Sequence, residues 1–145
     1  MRLLSLESIE LDYPANTWQE AVEKAGEILV KNGNAIAGYV AAMVRMCMEL
    51  GPYIVMTPGI AIPHARPEEG ALNVGIAALK LRMPISFGNK DNDPVFLVIA
   101  FCTPNAEAHI ELLSSVAEVL SQQDILEKIK AANNKETLSD IFTID

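Results

Sequence analysis

The sequence is poor in cysteine, histidine, aromatic residues and positive charge, and each shortage excludes a class of protein. Its two cysteines, Cys47 and Cys102, have no partner at the spacing of a zinc motif, so we expect both to be buried as small apolar residues. Eleven Lys and Arg residues against 19 Asp and Glu give a formal net charge of −8, which is unsuited to nucleic acid. A partner surface that is steered toward this chain should be basic or neutral.

Long apolar runs are also missing. The longest, at 35–44 and 95–102, are well short of the roughly 20 residues that span a bilayer. Acidic residues occupy the N-terminal stretch where a signal peptide would be apolar. We therefore expect a cytoplasmic protein with no direct membrane insertion. Half of the 145 residues are hydrophobic, enough to bury the core of one domain over 1–145 without disulfides.

Apolar periodicity predicts strands that alternate with helices. The predicted strands are 8–12, 53–57, 74–81 with a continuation at 83–87 after a proline break, and 95–102. The predicted helices are 17–33, 35–50, 103–121, 124–132 and 136–142. Residues 95–102 are eight apolar residues in a row, typical of a central strand that is covered on both faces. The pattern predicts an α/β fold, a three-layer sandwich with helices on both faces of a mixed sheet.

The most distinctive segment is 58–67, which reads PGIAIPHARP and carries one of the two histidines, His64. Its three prolines fix φ near −65° and disfavour helix at the residues before them, while Gly59 permits conformations barred to other residues. Such a loop holds His64 in one direction at the end of an apolar run. A neutral imidazole is a nucleophile near pH 7, so the segment suggests a phosphoryl carrier or an acid–base site. A hydrogen-bonded surface histidine is the alternative.

The second histidine, His109, is predicted in the first turns of the helix after the central strand. Leu112, Leu113 and Val116 follow at helical spacing, so His109 should lie at the N-terminal end of the inward face. Ligands of open α/β sheets bind at the carboxyl ends of strands, and a helix N-terminus favours phosphate. We expect an anion site rather than a metal site, because two imidazoles without an acidic ligand set are weak evidence for zinc. A histidine that caps the core is the alternative.

Several of these segments together resemble a known family. They are the helix with Trp18, GPY at 51–53, PGIAIPH at 58–64, Phe87 with NDPV at 92–95, and AHI at 108–110. Over essentially its whole length the chain resembles the enzyme IIA components, of the mannitol/fructose type (EIIA type 2), of the bacterial phosphoenolpyruvate-dependent sugar phosphotransferase system. The PHARPEEG run at 63–70 with DNDP at 91–94 most resembles the ascorbate branch.

The resemblance implies a phosphotransferase without cofactor or metal. His64 would be the phosphorylated residue, and Arg45 and His109 would surround the phosphoryl group. Arg45 lies off the apolar stripe of its predicted helix, so its guanidinium is expected to be free to bind phosphate and to lower the pKa of His64. Several mannitol-type members carry an acidic residue where this chain has Arg66, so the hydrogen-bond partner of the other His64 ring nitrogen stays open.

The resemblance also implies partners. The donor would be the small phosphocarrier protein HPr and the acceptor a cysteine of enzyme IIB, with the membrane permease IIC involved only indirectly. We expect a shallow docking surface with an apolar rim from Ile60 and Ile62. A regulatory domain that passes phosphate as a signal to a transcription regulator is an open alternative. A histidine hydrolase is a weaker one, because no serine elbow, acidic dyad or metal set accompanies the histidines. The sugar is not encoded here, because its selection resides in the membrane component.

Overall fold

A computed structural model describes all residues of the chain, 1–145. In chain order the strands and helices are β1 (Ile9–Tyr13), α1 (Trp18–Lys31), α2 (Ala37–Leu50), β2 (Ile60–Ala61), β3 (Gly75–Ile85), β4 (Val95–Cys102), α3 (Ala106–Leu120), α4 (Ile125–Ala131) and α5 (Lys135–Ile141). The strands form one sheet in the order β1-β3-β4-β2. β1 is parallel to β3 and β2 is parallel to β4, while β3 and β4 are antiparallel. The prediction of a mixed sheet is confirmed.

Each face of the sheet is covered by helices. On one face, α1 and α2 bury Leu29 and Met43 against sheet residues such as Leu79. On the other face, α3, α4 and α5 pack a second apolar cluster against the sheet. All eight residues of β4 are buried, because the strand lies inside the sheet and has helices on both sides. The three-layer sandwich is therefore confirmed.

Helix caps agree with the sequence pattern. The hydroxyl of Thr17 accepts a hydrogen bond from the Glu20 amide at 3.2 Å, which satisfies one of the free amides of the first turn of α1. The chain leaves α1 through Gly33, whose φ of +76° suits a residue without a Cβ. At α3 the cap is Asn105, whose side chain accepts from the Ala108 amide at 2.8 Å.

Two strand predictions were wrong. The segment 53–57 is not a strand: residues Pro52–Ile54 form a 3₁₀ turn, and the carbonyl of Val55 accepts from the Asn92 side chain instead of a strand partner. The strand that precedes the histidine loop is the shorter β2. The proline also does not end the strand: β3 continues through Pro84 to Ile85, although its register with β4 shifts between Lys80 and Ile85. β1 pairs with β3 only as far as Leu81. Beyond Leu81 the side of β3 that faces β1 has no partner strand. Pro84, which has no amide hydrogen to donate, is therefore tolerated there.

Candidate functional site

The two histidines lie at the same edge of the sheet. His64 follows β2 by three residues, and His109 is in the first turns of α3, which follows β4. Because β2 and β4 are parallel neighbours, their carboxyl ends meet at one edge. We call this the histidine edge. It comprises His64, His109 with its neighbour Ile110, and the segments 34–36 and 70–75, which lie at the same end of the sheet.

Both imidazoles lie on one phenyl ring. The ring of His64 stacks on Phe101 with 4.7 Å between centroids and an interplanar angle of 28°. His109 lies against the same phenyl at 5.1 Å. The two imidazoles are 5.0 Å apart, centroid to centroid, in an edge-on arrangement. Both histidines are half-buried, so Phe101 orders two rings that still reach solvent.

The His64 ring is oriented by a backbone carbonyl. Its Nδ1 lies 3.1 Å from the carbonyl oxygen of Ile62, and because a carbonyl only accepts, Nδ1 must carry the proton and donate it. The lone pair of the neutral ring is then on Nε2. This interaction answers the question left open by Arg66: the partner is a main-chain oxygen, so no acidic side chain is needed.

The charge state of His64 follows from its surroundings. Burial lowers the pKa of His64; the hydrogen bond to Ile62 opposes this shift, and the neighbouring His109 adds to it. His64 is therefore neutral near pH 7. The sequence prediction assigned the low pKa to the Arg45 cation, whereas the structure assigns it first to burial.

Arg45 is engaged with another side chain. Its Nη2 donates to Oε2 of Glu69 at 3.1 Å, and the two side chains are 51% and 34% exposed. No hydrogen bond joins Arg45 to either histidine. Glu69 belongs to the 3₁₀ turn Pro67–Glu69, close after His64 in the chain, so the ion pair lies on the loop that carries the candidate nucleophile. A contact between Arg45 and a phosphoryl group stays a prediction.

The apolar rim predicted around the loop was wrong in its residues. Ile60 is fully buried and Ile62 is 3% exposed, because both side chains belong to the core on the α3 side of the sheet. Large apolar side chains are instead exposed on other segments of the histidine edge. They are Ile36, Leu72, Val74 and Ile110, each at least half exposed.

These segments are tied to the edge by the backbone. The Ile36 amide donates to Gly70 and the Leu72 amide to Asn34, which joins the two loops. The first residue of β3, Gly75, lies opposite Cys102 at the carboxyl end of β4. Ile110 is the neighbour of His109. The edge therefore combines two imidazoles with apolar surface, a composition suited to protein docking.

Other chemistries have little support. No group of three or more His, Cys, Asp or Glu side chains is arranged to hold a metal ion. Cys47 and Cys102 are both buried, and burial raises the pKa of each thiol to about 11, so neither is a nucleophile at neutral pH. None of the helices has both the length and the apolar character needed to cross a membrane.

The family described as "Phosphoenolpyruvate-dependent sugar phosphotransferase system, EIIA 2" matches residues 2–144. The chain belongs to this family.

Individual relatives agree with this assignment. The chain is 32% identical over 136 residues to the ascorbate-specific EIIA component of Shigella boydii, which covers 93% of this chain and 88% of the relative. The solution structure of the mannitol-specific cryptic enzyme IIA CmtB from Escherichia coli has a TM-score of 0.87 and 33% identity, with 98% of each chain covered. The complex of mannitol enzyme IIA with phosphorylated enzyme IIB from Escherichia coli matches with a TM-score of 0.85 and 28% identity, with 96% of each chain covered.

Sequence reasoning missed three groups at this site. Phe101 is one of eight consecutive apolar residues in β4. Nothing in the sequence of that strand indicates that both imidazoles pack against its ring. Tyr39 is an apolar-patterned residue of α2 and is only 1% exposed, but its hydroxyl forms hydrogen bonds with the backbone of Ala65 and Phe101. Glu69 gave no signal as the partner of Arg45, because pairing between α2 and a distant loop depends on the fold.

Proposed function

We propose that this chain is a phosphocarrier in which Nε2 of His64 accepts a phosphoryl group from phosphorylated HPr and passes it to a cysteine of an enzyme IIB. The observation that carries the proposal is the bond from Nδ1 of His64 to the Ile62 carbonyl. It holds the imidazole in the tautomer whose free lone pair is on Nε2. The low pKa of His64 supports the same role, since only the neutral ring is a nucleophile.

The acceptance step requires in-line attack. The Nε2 lone pair forms a bond to phosphorus while the bond between phosphorus and the donor imidazole breaks, and the electron pair of that bond returns to the donor nitrogen. The phosphorylated His64 ring still holds its Nδ1 proton and so bears positive charge. The Ile62 carbonyl accepts from that proton and stabilises the charged ring. In delivery, a thiolate forms the S–P bond and the N–P pair returns to Nε2.

Three groups are proposed to stabilise the transferring phosphoryl group. His109, 5.0 Å from His64 between ring centroids, can donate a hydrogen bond to one oxygen. Asn105 already caps the Ala108 amide, which leaves the two preceding amides of α3 without an intrahelical partner, and the helix dipole there favours an anion. Arg45 would contribute a two-pronged contact. To reach the phosphoryl group it must first leave Glu69, and an exposed ion pair of this kind is worth only about 0.2–1 kcal/mol.

The exposed apolar side chains of the histidine edge are proposed to contact HPr and enzyme IIB in turn. Both encounters must be brief, because a carrier has to release one partner before it meets the next. A small apolar surface around a half-buried nucleophile suits transient docking. The complex of mannitol enzyme IIA with phosphorylated enzyme IIB supports an enzyme IIB as one partner of this chain.

The transported compound is proposed to be a sugar or sugar derivative that the membrane component selects, with ascorbate as one candidate. The support is the ascorbate-specific relative, although mannitol-specific relatives match about equally well. Sugar uptake would couple to this chain in the cytoplasm through enzyme IIB and the permease IIC. A regulatory role remains the second candidate, and delivery to a thiol separates the two.

The test is a reconstituted relay from labelled phosphoenolpyruvate, enzyme I and HPr. The wild-type chain should take up one equivalent of acid-labile, alkali-stable label, as a phosphoramidate does, and lose it to an enzyme IIB. His64→Ala should take up none, whereas His109→Ala should still be labelled. Stoichiometric label on His64→Ala would overturn the proposal. Label that forms but never reaches any enzyme IIB would favour the regulatory role.

A further inference from the structure

The strand pair beneath His64 is interrupted at one point. Ala61 of β2 lies opposite Val98 of β4, and the same parallel register, continued, brings His64 opposite Phe101. The Phe101 amide donates to the Pro63 carbonyl at 3.3 Å, which is the ladder bond before His64. In a regular parallel ladder the next bond would run from the Ala65 amide to the Phe101 carbonyl.

A tyrosine hydroxyl occupies the place of that bond. The hydroxyl of Tyr39 accepts from the Ala65 amide at 3.0 Å and donates to the Phe101 carbonyl at 2.9 Å. The Ala65 carbonyl is also close to the hydroxyl, at 3.2 Å. Beside the nucleophile, the segment after β2 is therefore joined to β4 through the hydroxyl oxygen and not by a direct backbone bond. The hydroxyl keeps both buried backbone groups hydrogen-bonded.

We propose that Tyr39 is a positioning residue for phosphoryl transfer: its hydroxyl sets the distance between the His64 loop and the Phe101 platform, and thereby the direction of Nε2. The expected effect on the transfer rate rests on the proposed function. The expected effect on the position of the His64 ring does not. Tyr39 touches neither imidazole, so it acts through the backbone on each side. Its ring belongs to the core of the α2 face, which fixes the hydroxyl to a rigid element.

The inference predicts a specific defect when the hydroxyl alone is removed. In Tyr39→Phe the Ala65 amide and the Phe101 carbonyl lose their shared partner while the ring still fills its place. The loop can then close onto β4 or move away from it, and the His64 ring shifts on Phe101. A displacement of about 1 Å in a reacting group costs up to 10²-fold in rate. We expect the maximal transfer rate to fall about 10- to 100-fold, with little change in the KM for HPr.

The matched control is Tyr53→Phe. Tyr53 is 53% exposed on the turn after α2, and its hydroxyl bridges no backbone groups. Each variant is compared with the wild type by denaturant unfolding, by transfer kinetics from phosphorylated HPr, and by the ring proton and nitrogen shifts of His64. Because His64 stacks on a phenyl ring, its proton shifts report the ring position whether or not phosphate is transferred.

The proposal requires shifted His64 ring signals and a lower maximal rate in Tyr39→Phe, with both unchanged in Tyr53→Phe. Unshifted His64 signals with a wild-type rate would overturn it. A lower unfolding midpoint without any change at His64 would also overturn it, by showing a purely structural role. Should Tyr39→Phe not fold, hydrogen exchange of the wild-type Ala65 amide decides: protection supports the hydroxyl bridge, and rapid exchange refutes it. A wild-type chain that takes no phosphate refutes the proposed function, while the His64 shifts still test the bridge.

Discussion

Replacing Ile110 by alanine tests the docking role of the histidine edge. Ile110 is 65% exposed and lies beside His109 on α3. Burying a complete isoleucine side chain contributes about 1.5–3 kcal/mol, so the exposed two thirds can contribute about 1–2 kcal/mol to docking. Ile110→Ala should therefore raise the KM for phosphorylated HPr about 5- to 30-fold and leave the maximal rate unchanged. The assay is the initial rate of label transfer over a range of HPr concentrations.

The control for Ile110 is Met83→Ala. Met83 is 68% exposed, but it lies near the end of β3, at the edge of the sheet opposite the histidines. This variant removes a similar apolar area and should leave KM unchanged. If Ile110→Ala has a wild-type KM, or if Met83→Ala raises KM equally, the apolar side chains of the histidine edge do not form the docking surface.

Three further predictions concern the charged groups of the site. The pKa of His64 in the folded chain is below the value of about 6.5 expected when unfolded, so the stability from its neutral form is complete above about pH 6.5 and is lost as pH falls through the folded pKa. Phosphoryl acceptance should continue somewhat below pH 6.5 and be lost as the pH falls through the folded pKa, because only the neutral ring is a nucleophile. Initial rates of label uptake measure the acceptance, and imidazole titration by NMR measures the pKa; a His64 pKa above 6.5 would contradict the burial argument. His109→Ala should slow acceptance by less than the 10²–10³-fold typical of a donor in a dry site, because His109 is half-buried; a wild-type rate would remove it from the site. Arg45→Lys and Arg45→Ala should both slow transfer, and the alanine variant should be the slower. The pKa of His64 should stay near its native value in both, because burial is the main cause of its shift. Wild-type rates in both variants would show that Arg45 only pairs with Glu69.

The architecture could be predicted because its determinants are local. The eight apolar residues of β4 specify a central strand, and the caps at Thr17 and Asn105 specify where helices begin. The error at 53–57 has a physical origin: the carbonyl of Val55 accepts hydrogen bonds from the side chains of Asn89 and Asn92, a pairing that depends on contacts distant in sequence. The break predicted at Pro84 was wrong for a similar reason. Proline has no amide hydrogen to donate, and only the sheet order reveals that β1 does not pair with β3 at this position.

The candidate nucleophile could be predicted from the sequence, whereas the groups that orient it could not. His64 stands out because three prolines stiffen its loop, and His109 because helical spacing directs it inward. The Ile62 carbonyl, the Phe101 ring and the Tyr39 hydroxyl have no sequence signal, since each acts through strand register or through an ordinary core side chain. The apolar rim was assigned to Ile60 and Ile62 because they adjoin the loop. Both side chains instead belong to the core on the α3 side of the sheet.

The central claim is that Nε2 of His64 carries the phosphoryl group while Nδ1 keeps its proton. The most direct test is a phosphorus–nitrogen NMR experiment on the phosphorylated chain with ¹⁵N-labelled histidine. The account predicts a one-bond phosphorus coupling to Nε2 of His64 and a protonated Nδ1, as its bond to Ile62 requires. Coupling to Nδ1 of His64, or to either nitrogen of His109, would contradict it.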